Sequence, residues 1–208
     1  MNKVRKYLFW FLILVYVSGT IGMPLNKSFF LPFTPLNLLL TVTVFLLYAP
    51  SEKMSYFISF FSIALLGYVL EVIGVATGLV FGDYHYGNAL GPALLDVPLL
   101  ISVNWALLIA CAVPLAGKLS GNKWWISVIS AVLVTTLDLI MEQVAPSLDF
   151  WYFTGGIAGI HNYLGWLLIS FVGAFTFNGT LLKGNLQISV TLLILQLIFF
   201  SVIALVAV

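Results

Sequence analysis

Three carboxyl side chains interrupt long apolar stretches of the sequence: Glu71, Asp138 and Glu142. A carboxylate inside a membrane helix is costly, by roughly 2.5 kcal/mol even on the mildest scale, so such residues usually serve a function. A desolvated carboxyl group keeps a proton more readily than one in water, and two acids in unlike environments can act as acid and base. The residue types therefore indicate proton transfer to a substrate as apolar as lipid.

The depths of these residues can be predicted from the helical rise. Glu71 lies eight residues before the end of its apolar stretch, which places it roughly 12 Å below one membrane face. Asp138 lies fourteen residues after Trp124, so about 9 Å of a ~30 Å core remains beyond it. Asn104, six residues after Pro98, is again about 9 Å deep. The sequence thus predicts polar groups from three helices in one layer, in the outer third of the bilayer.

The spacing also predicts which helix faces carry the acids. Glu71 shares its face with three glycines, at positions 67, 74 and 78, which indicates either a packing seam or room for a ligand beside the acid. Thr135, Asp138 and Glu142 share a face of another helix. That pair of acids could instead form a structural hydrogen-bond network, with Glu142 reaching toward the interface.

Further polar residues in the two outer loops are weaker candidates. Asp83 and Asp96 lie near span ends, where water reaches them, and Asp96 could cap the helix that follows. His85 and His161 are the two histidines of the chain, and no metal-binding spacing connects them. We therefore predict no metal site, although His161 could orient a carboxylate.

Aromatic residues crowd the same two loops. They predict an interfacial belt of tyrosine and tryptophan, and the same rings could shield a carbocation with their π-faces. The members are Tyr84, Tyr86, Trp151, Tyr152, Tyr163 and Trp166. Asn162, between them in sequence, could position water.

The composition excludes an ordinary soluble domain. Of the 208 residues, 62% are hydrophobic and 7% are charged, whereas soluble domains are about a quarter charged. We predict a single all-α integral membrane domain over residues 1–208 that binds no nucleic acid. The lone cysteine, Cys111, excludes a disulfide framework.

Seven apolar stretches are each near the ~20 residues that a transmembrane helix needs. The start of the chain resembles a signal peptide but lacks a cleavage motif, so we interpret it as an uncleaved first span. The predicted spans are 7–24, 34–49, 56–79, 98–116, 124–142, 162–182 and 187–207.

The basic residues predict the orientation. With the N-terminus in the cytoplasm, seven of the eight lysines and arginines fall on the cytoplasmic side, and Lys27 alone falls opposite. The loops at 80–97 and 143–161 then lie outside. We predict a multi-pass protein of the inner (cytoplasmic) membrane.

Two stretches resemble the membrane-bound carotenoid hydratase family, which includes bisanhydrobacterioruberin hydratases and carotenoid 1,2-hydratases. They are FGDYHYGNALGPALLDVPLLISVNW and LDLIMEQVAPSLDFWYFTGGIAGIHNYLGW, within a similar region of about 60–182. The chain differs at His161, where a proline often precedes the asparagine.

The resemblance implies addition of water to the terminal double bond of an acyclic (ψ) carotenoid end, without a cofactor. The implied substrate is like lycopene or γ-carotene and enters from membrane lipid. Asp138 or Glu71 would be the acid, with Glu142 and Asp96 as further catalytic candidates. Asn104 or Asn162 would help to orient water. The cation pocket would be lined by Trp105, Tyr84 and Trp166, with Asp83, Tyr86, Trp151 and His161 also near the substrate.

Three other functions fit the same residues. A membrane lycopene cyclase begins with the same protonation but adds no water. A carotenoid-binding protein would need no acid, so Asp138→Asn and Glu71→Gln would leave it functional. A proton-coupled transporter would need polar residues across the whole bilayer, whereas these cluster in one leaflet.

Overall fold

The computed structural model describes residues 3–206, which form a bundle of apolar helices. Helices dominate because a helix satisfies its own backbone hydrogen bonds, which the bilayer core cannot do. The helices are α1 (Lys3–Leu25), α2 (Lys27–Phe30), α3 (Thr34–Leu47), α4 (Lys53–Thr77), α5 (Leu99–Leu119), α6 (Lys123–Glu142), α7 (Ile160–Thr176), α8 (Asn178–Leu181) and α9 (Leu186–Val206). Short strands are β1 (Tyr84–Tyr86), β2 (Ala93–Leu94), β3 (Val97–Pro98) and β4 (Trp151–Phe153). The prediction of an all-α membrane fold is confirmed.

Six helical segments within residues 3–206 are long and apolar enough to cross a membrane. The second of them runs over Lys27–Leu47, so it begins earlier than the predicted start at residue 34. The predicted span 162–182 is shorter than expected, because α7 has 17 residues and ends at Thr176 before the separate turn of α8. The predicted stretch 162–182 is therefore helical, but its helix α7 falls short of the usual spanning length.

Helix α5 lies at the centre of the bundle. It packs against α3, α4, α6, α7 and α9. In the most apolar stretch of α5, 78% is buried inside the protein, whereas the buried share in the other five long segments is between 22% and 44%. Nearly every face of α5 therefore meets protein rather than lipid.

Two long connections meet at one end of the bundle. Strand β1 pairs with β4 in antiparallel register, with Tyr84 opposite Phe153 and Tyr86 opposite Trp151. The Thr154 amide continues the pairing by donating to the Asp83 carbonyl at 2.9 Å. The connection after α4 is thereby joined to the connection after α6. We name this two-stranded cover of residues 84–86 and 151–153 the aromatic cap.

The other end of the bundle carries exposed charges. Lys183, before α9, forms an ion pair with Glu52, before α4, at 2.5 Å. Both side chains are about half exposed, so the pair contributes little to stability. Its position shows that the α3–α4 and α8–α9 connections lie together, away from the aromatic cap.

Candidate active site beneath the aromatic cap

Glu71 lies on α4 and is 3% exposed. Its carboxyl group accepts three hydrogen bonds. The hydroxyl groups of Tyr84 and Tyr86 donate to Oε2 at 2.5 and 2.6 Å, and the indole nitrogen of Trp105 donates to Oε1 at 2.8 Å. Donors of this number and distance stabilise a carboxylate strongly. Glu71 is thus held in place from the aromatic cap and from α5 at once.

The local sequence explains this geometry. Alternate residues of a strand point to one face, so Tyr84 and Tyr86 both reach Glu71 while His85 turns outward and stacks on Tyr152. Burial raises the pKa of the Tyr84 and Tyr86 hydroxyl groups, which therefore stay protonated and remain donors near neutral pH.

The glycine face of α4 makes room for the rings. A Cβ on Gly67 would lie 3.0 Å from the Trp105 ring, and one on Gly74 would lie 2.8 Å from Phe81. Gly78 has a different role, since it ends α4 in the left-handed conformation with φ of 68°. The glycines therefore form a seam against aromatic side chains, which brings those side chains to Glu71.

A second carboxyl cluster lies on α6. The side-chain amide of Asn162 donates to Asp138 Oδ2 at 3.1 Å and to Glu142 Oε1 at 2.8 Å. The indole nitrogen of Trp151, in the aromatic cap, donates to Glu142 Oε2 at 2.9 Å. Asp138 is 0% exposed, whereas Glu142 is partly exposed at the end of α6. One asparagine on α7 thus holds both acids of α6.

The two clusters meet at one small cavity. Glu71, Glu142 and Asn162 line it, together with the two cap tyrosines. The volume open to the centre of a water molecule is about 10 Å³, which is close to the least that holds one water. Asp138 is not among the lining residues, so the two acids that line this cavity are Glu71 and Glu142.

A much larger apolar cavity lies next to the small one. Its volume is about 510 Å³, and its walls come from α1, α3, α5 and α9. Ile101 and Trp151 line both cavities, so these two side chains lie between the larger cavity and the small cavity that Glu71 and Glu142 line. We name the larger cavity the apolar chamber. Its size falls within the usual range of ligand pockets.

Two tryptophans lie beside Glu71 and the small cavity. The rings of Trp105 and Trp166 stack, with centroids 3.6 Å apart and an angle of 16°. Trp166 lines the small cavity. Trp105 does not line the cavity and instead bonds Glu71 with its indole nitrogen. Of the two, Trp166 is therefore placed to face a bound molecule.

The structure separates four of the sequence candidates from this cluster. Asp96 was predicted as a catalytic candidate or helix cap, but it lies exposed in the two-residue turn between β2 and β3, with φ of 62°. Asp83 and His161 are also exposed. Asn104 faces the apolar chamber, and its side chain makes no hydrogen bond within residues 3–206. Asn104 is therefore not among the residues that line the small cavity, and its water-orienting role stays a prediction, whereas Asn162 contacts both acids of α6.

Sequence reasoning missed Asp149, which joins the loops of the cap. Its Oδ2 accepts from the Asn88 amide at 3.0 Å, and its Oδ1 accepts from the Tyr152 hydroxyl at 2.9 Å. Its own backbone is left-handed, with φ of 53°. The signal in the sequence was an aspartate soon after Pro146, which is typical of a turn.

We expect Asp149→Ala to lower the melting temperature of the purified protein, with a loss on the order of 1–2 kcal/mol. The variant loses two hydrogen bonds and places alanine at a left-handed position. Asp149→Asn is the matched control, since asparagine tolerates this backbone and keeps an acceptor oxygen. Equal melting temperatures for the two variants would contradict the conclusion that Asp149 stabilises the protein by connecting the loops of the aromatic cap.

Comparison with known proteins found one family profile and one curated relative that resemble this sequence. The sequence profile of the family described as "Carotenoid biosynthesis protein" matches residues 33–208. A bisanhydrobacterioruberin hydratase of Haloarcula japonica is 33% identical over 125 residues. The match covers 56% of this chain and 43% of the length of that relative. No solved structure matches the chain. Since the family profile covers most of the sequence, this membrane protein belongs to the carotenoid biosynthesis protein family.

Proposed function

We propose that the protein is an enzyme that adds water to the terminal carbon–carbon double bond of an acyclic carotenoid end. The observation that carries the proposal is the cavity between Glu71 and Glu142, which has the volume of one water and adjoins the apolar chamber. Hydration of an alkene needs an acid, a base and one water molecule beside an apolar binding space. All four requirements have a counterpart in the described residues.

The hydrogen bonds distinguish the two glutamates. Glu71 has three donors on its carboxyl group, so it is the better carboxylate and is suited to accept a proton. Glu142 has two donors, and it shares one of them with Asp138. Glu71 lines the same cavity, and a second negative charge beside it is disfavoured, which suits Glu142 to hold and donate a proton.

The reaction then proceeds in two bond-forming steps. Glu142 gives its proton to the less substituted carbon of the double bond, and the π electron pair becomes the new C–H bond. A lone pair of the water attacks the resulting tertiary cation and forms the C–O bond, while Glu71 accepts the proton that the water loses. A following water in the cavity returns that proton to Glu142, so the cycle neither consumes nor releases protons.

The surrounding residues suit a cationic intermediate. Trp166, Trp151 and Phe81 line the small cavity with aromatic rings, which attract positive charge at their faces. The apolar chamber would hold the adjoining part of the hydrocarbon chain. A carotenoid is about as long as the bilayer core is thick (~30 Å), so the rest of the molecule can extend into lipid.

Expression in a host that makes lycopene or γ-carotene tests the proposal. We expect a new pigment that is heavier by one water for each reacted end and that takes up heavy oxygen from labelled water. A new pigment of unchanged mass would instead indicate cyclisation. Unchanged pigment beside a well-folded membrane protein would contradict enzymatic action on these substrates.

The apolar chamber gives a second prediction. A Cβ on Gly19, in its wall, would meet only Phe199, at an ordinary 3.8 Å. We therefore expect Gly19→Ala to fold and to retain full activity, and alanine even favours the helix by up to about 1 kcal/mol. Gly19→Trp should occupy part of the chamber and reduce hydrated product at least about tenfold, because a single extra or missing methylene in an apolar pocket already costs roughly 10–200-fold. Product yield normalised to protein in the membrane is the measurement. Full activity of Gly19→Trp would exclude the chamber as the substrate site.

A further inference from the structure

Asp138 differs from the two cavity glutamates in its surroundings. It is 0% exposed, and its Oδ1 has no hydrogen-bond partner among residues 3–206. Its other oxygen has a single donor, the Asn162 amide, which it shares with Glu142. Glu71, Asp138 and Glu142 form no ion pair in the described part of the chain, where the one salt bridge joins Lys183 and Glu52.

A bare carboxylate oxygen in such a place is strongly disfavoured. Burial of a charge without a partner costs far more than burial of a neutral group, so an acid in these surroundings keeps its proton. Three donors offset part of that cost for Glu71, and two donors with partial exposure offset part of it for Glu142. Asp138 has neither protection.

We infer that Asp138 is a neutral, protonated carboxylic acid that positions Asn162 and thereby Glu142, and that it is not itself the acid or the base. Its Oδ2 accepts one N–H of the Asn162 amide, and the other N–H then points at Glu142 Oε1. Asp138 and Glu142 are four residues apart on one helix face, so a single amide can span both. A neutral Asp138 also adds no repulsion when Glu142 has given up its proton. The role in positioning rests on the proposed function, whereas the protonation state does not.

The protonation state can be measured on the wild-type protein. Infrared spectra distinguish the C=O stretch of a carboxylic acid from that of a carboxylate. We expect an acid band at neutral pH that shifts when the protein is grown with aspartate labelled with heavy carbon at its side-chain carboxyl. Asp83, Asp96 and Asp149 lie at least partly exposed, so the shifted band would be that of Asp138. An acid band that ignores the label, or no acid band, would overturn the inference.

The positioning role is tested by a pair of variants. Asparagine has the shape of a neutral aspartic acid and keeps an oxygen that accepts from Asn162. Asp138→Asn is therefore expected to lose the labelled infrared band yet retain hydration activity within about tenfold of wild type. Asp138→Leu, which cannot accept from Asn162, should lose almost all hydration activity. If Asp138→Asn is as inactive as Glu142→Gln while wild type is active, Asp138 is catalytic and the inference fails. If wild type hydrates none of the carotenoids, the proposed function fails, and the labelled spectrum still decides the state of Asp138.

Discussion

Glu71→Gln is expected to lower the yield of hydrated carotenoid by about 10²–10⁴-fold, the usual contribution of a positioned acid or base. Glutamine keeps the size of the side chain. Its oxygen can accept from the Trp105 indole nitrogen, and its amide nitrogen can donate to the hydroxyl oxygens of Tyr84 and Tyr86. It cannot accept a proton from water. The loss should therefore appear in product formation, while the amount of folded protein in the membrane stays near wild type.

The control for this substitution is Glu52→Gln. Glu52 is exposed at the opposite end of the bundle, in its surface ion pair with Lys183, so the same chemical change there should leave hydration unaltered. Tyr84→Phe and Tyr86→Phe each remove one donor to Glu71 and should have smaller effects than Glu71→Gln. An active Glu71→Gln protein would exclude Glu71 as the base.

Glu142→Gln is expected to have an effect of similar size, about 10²–10⁴-fold, for the opposite reason. The amide has no proton acidic enough to give to an alkene. Trp151 and Asn162 each donate to one oxygen of Glu142, so glutamine keeps one of these hydrogen bonds and turns its own donor toward the other neighbour. The amount of folded protein in the membrane is therefore measured as well. The measurement is again the ratio of hydrated product to unreacted carotenoid.

Trp151→Phe separates hydrogen bonding from shape at this position. Phenylalanine keeps an aromatic ring between the small cavity and the apolar chamber but removes the donor to Glu142. A loss much smaller than that of Glu142→Gln is expected. If Trp151→Phe were inactive and Glu142→Gln active, the proton would have to come from elsewhere.

The fold followed from simple features of the sequence. Long apolar runs with few charges predict membrane helices, and the structure has helices in all seven predicted stretches. The exception in length is α7, since the apolar run continues past Thr176 while the helix does not. Hydropathy does not distinguish one continuous helix from two joined by a turn.

The helical rise predicts the depth of a residue but not the direction in which its side chain points. The helical rise placed Asn104 at the level of the acids, but α5 is surrounded by other helices, so its apolar pattern gives no sign of which way Asn104 faces. For α4, the glycines beside Glu71 marked one face and gave that direction. A central helix lacks such contrast.

The aromatic cap could not be predicted from local sequence. Tyr84 and Phe153 pair across a separation of about seventy residues, and short strands of three residues have little signal of their own. That pairing decides that Tyr86 reaches Glu71, that Trp151 reaches Glu142, and that Asp96 is left in a separate turn. The same long-range contact therefore determines which polar residues belong to the site.

The most direct test is to isolate the carotenoid from a lycopene-producing host that expresses either the wild-type chain or Glu71→Gln, grown in water enriched in heavy oxygen. We expect a tertiary alcohol carrying the heavy isotope with the wild-type chain and unreacted lycopene with the variant. Pigment without solvent oxygen from the wild type, or equal labelling from both proteins, would contradict this expectation.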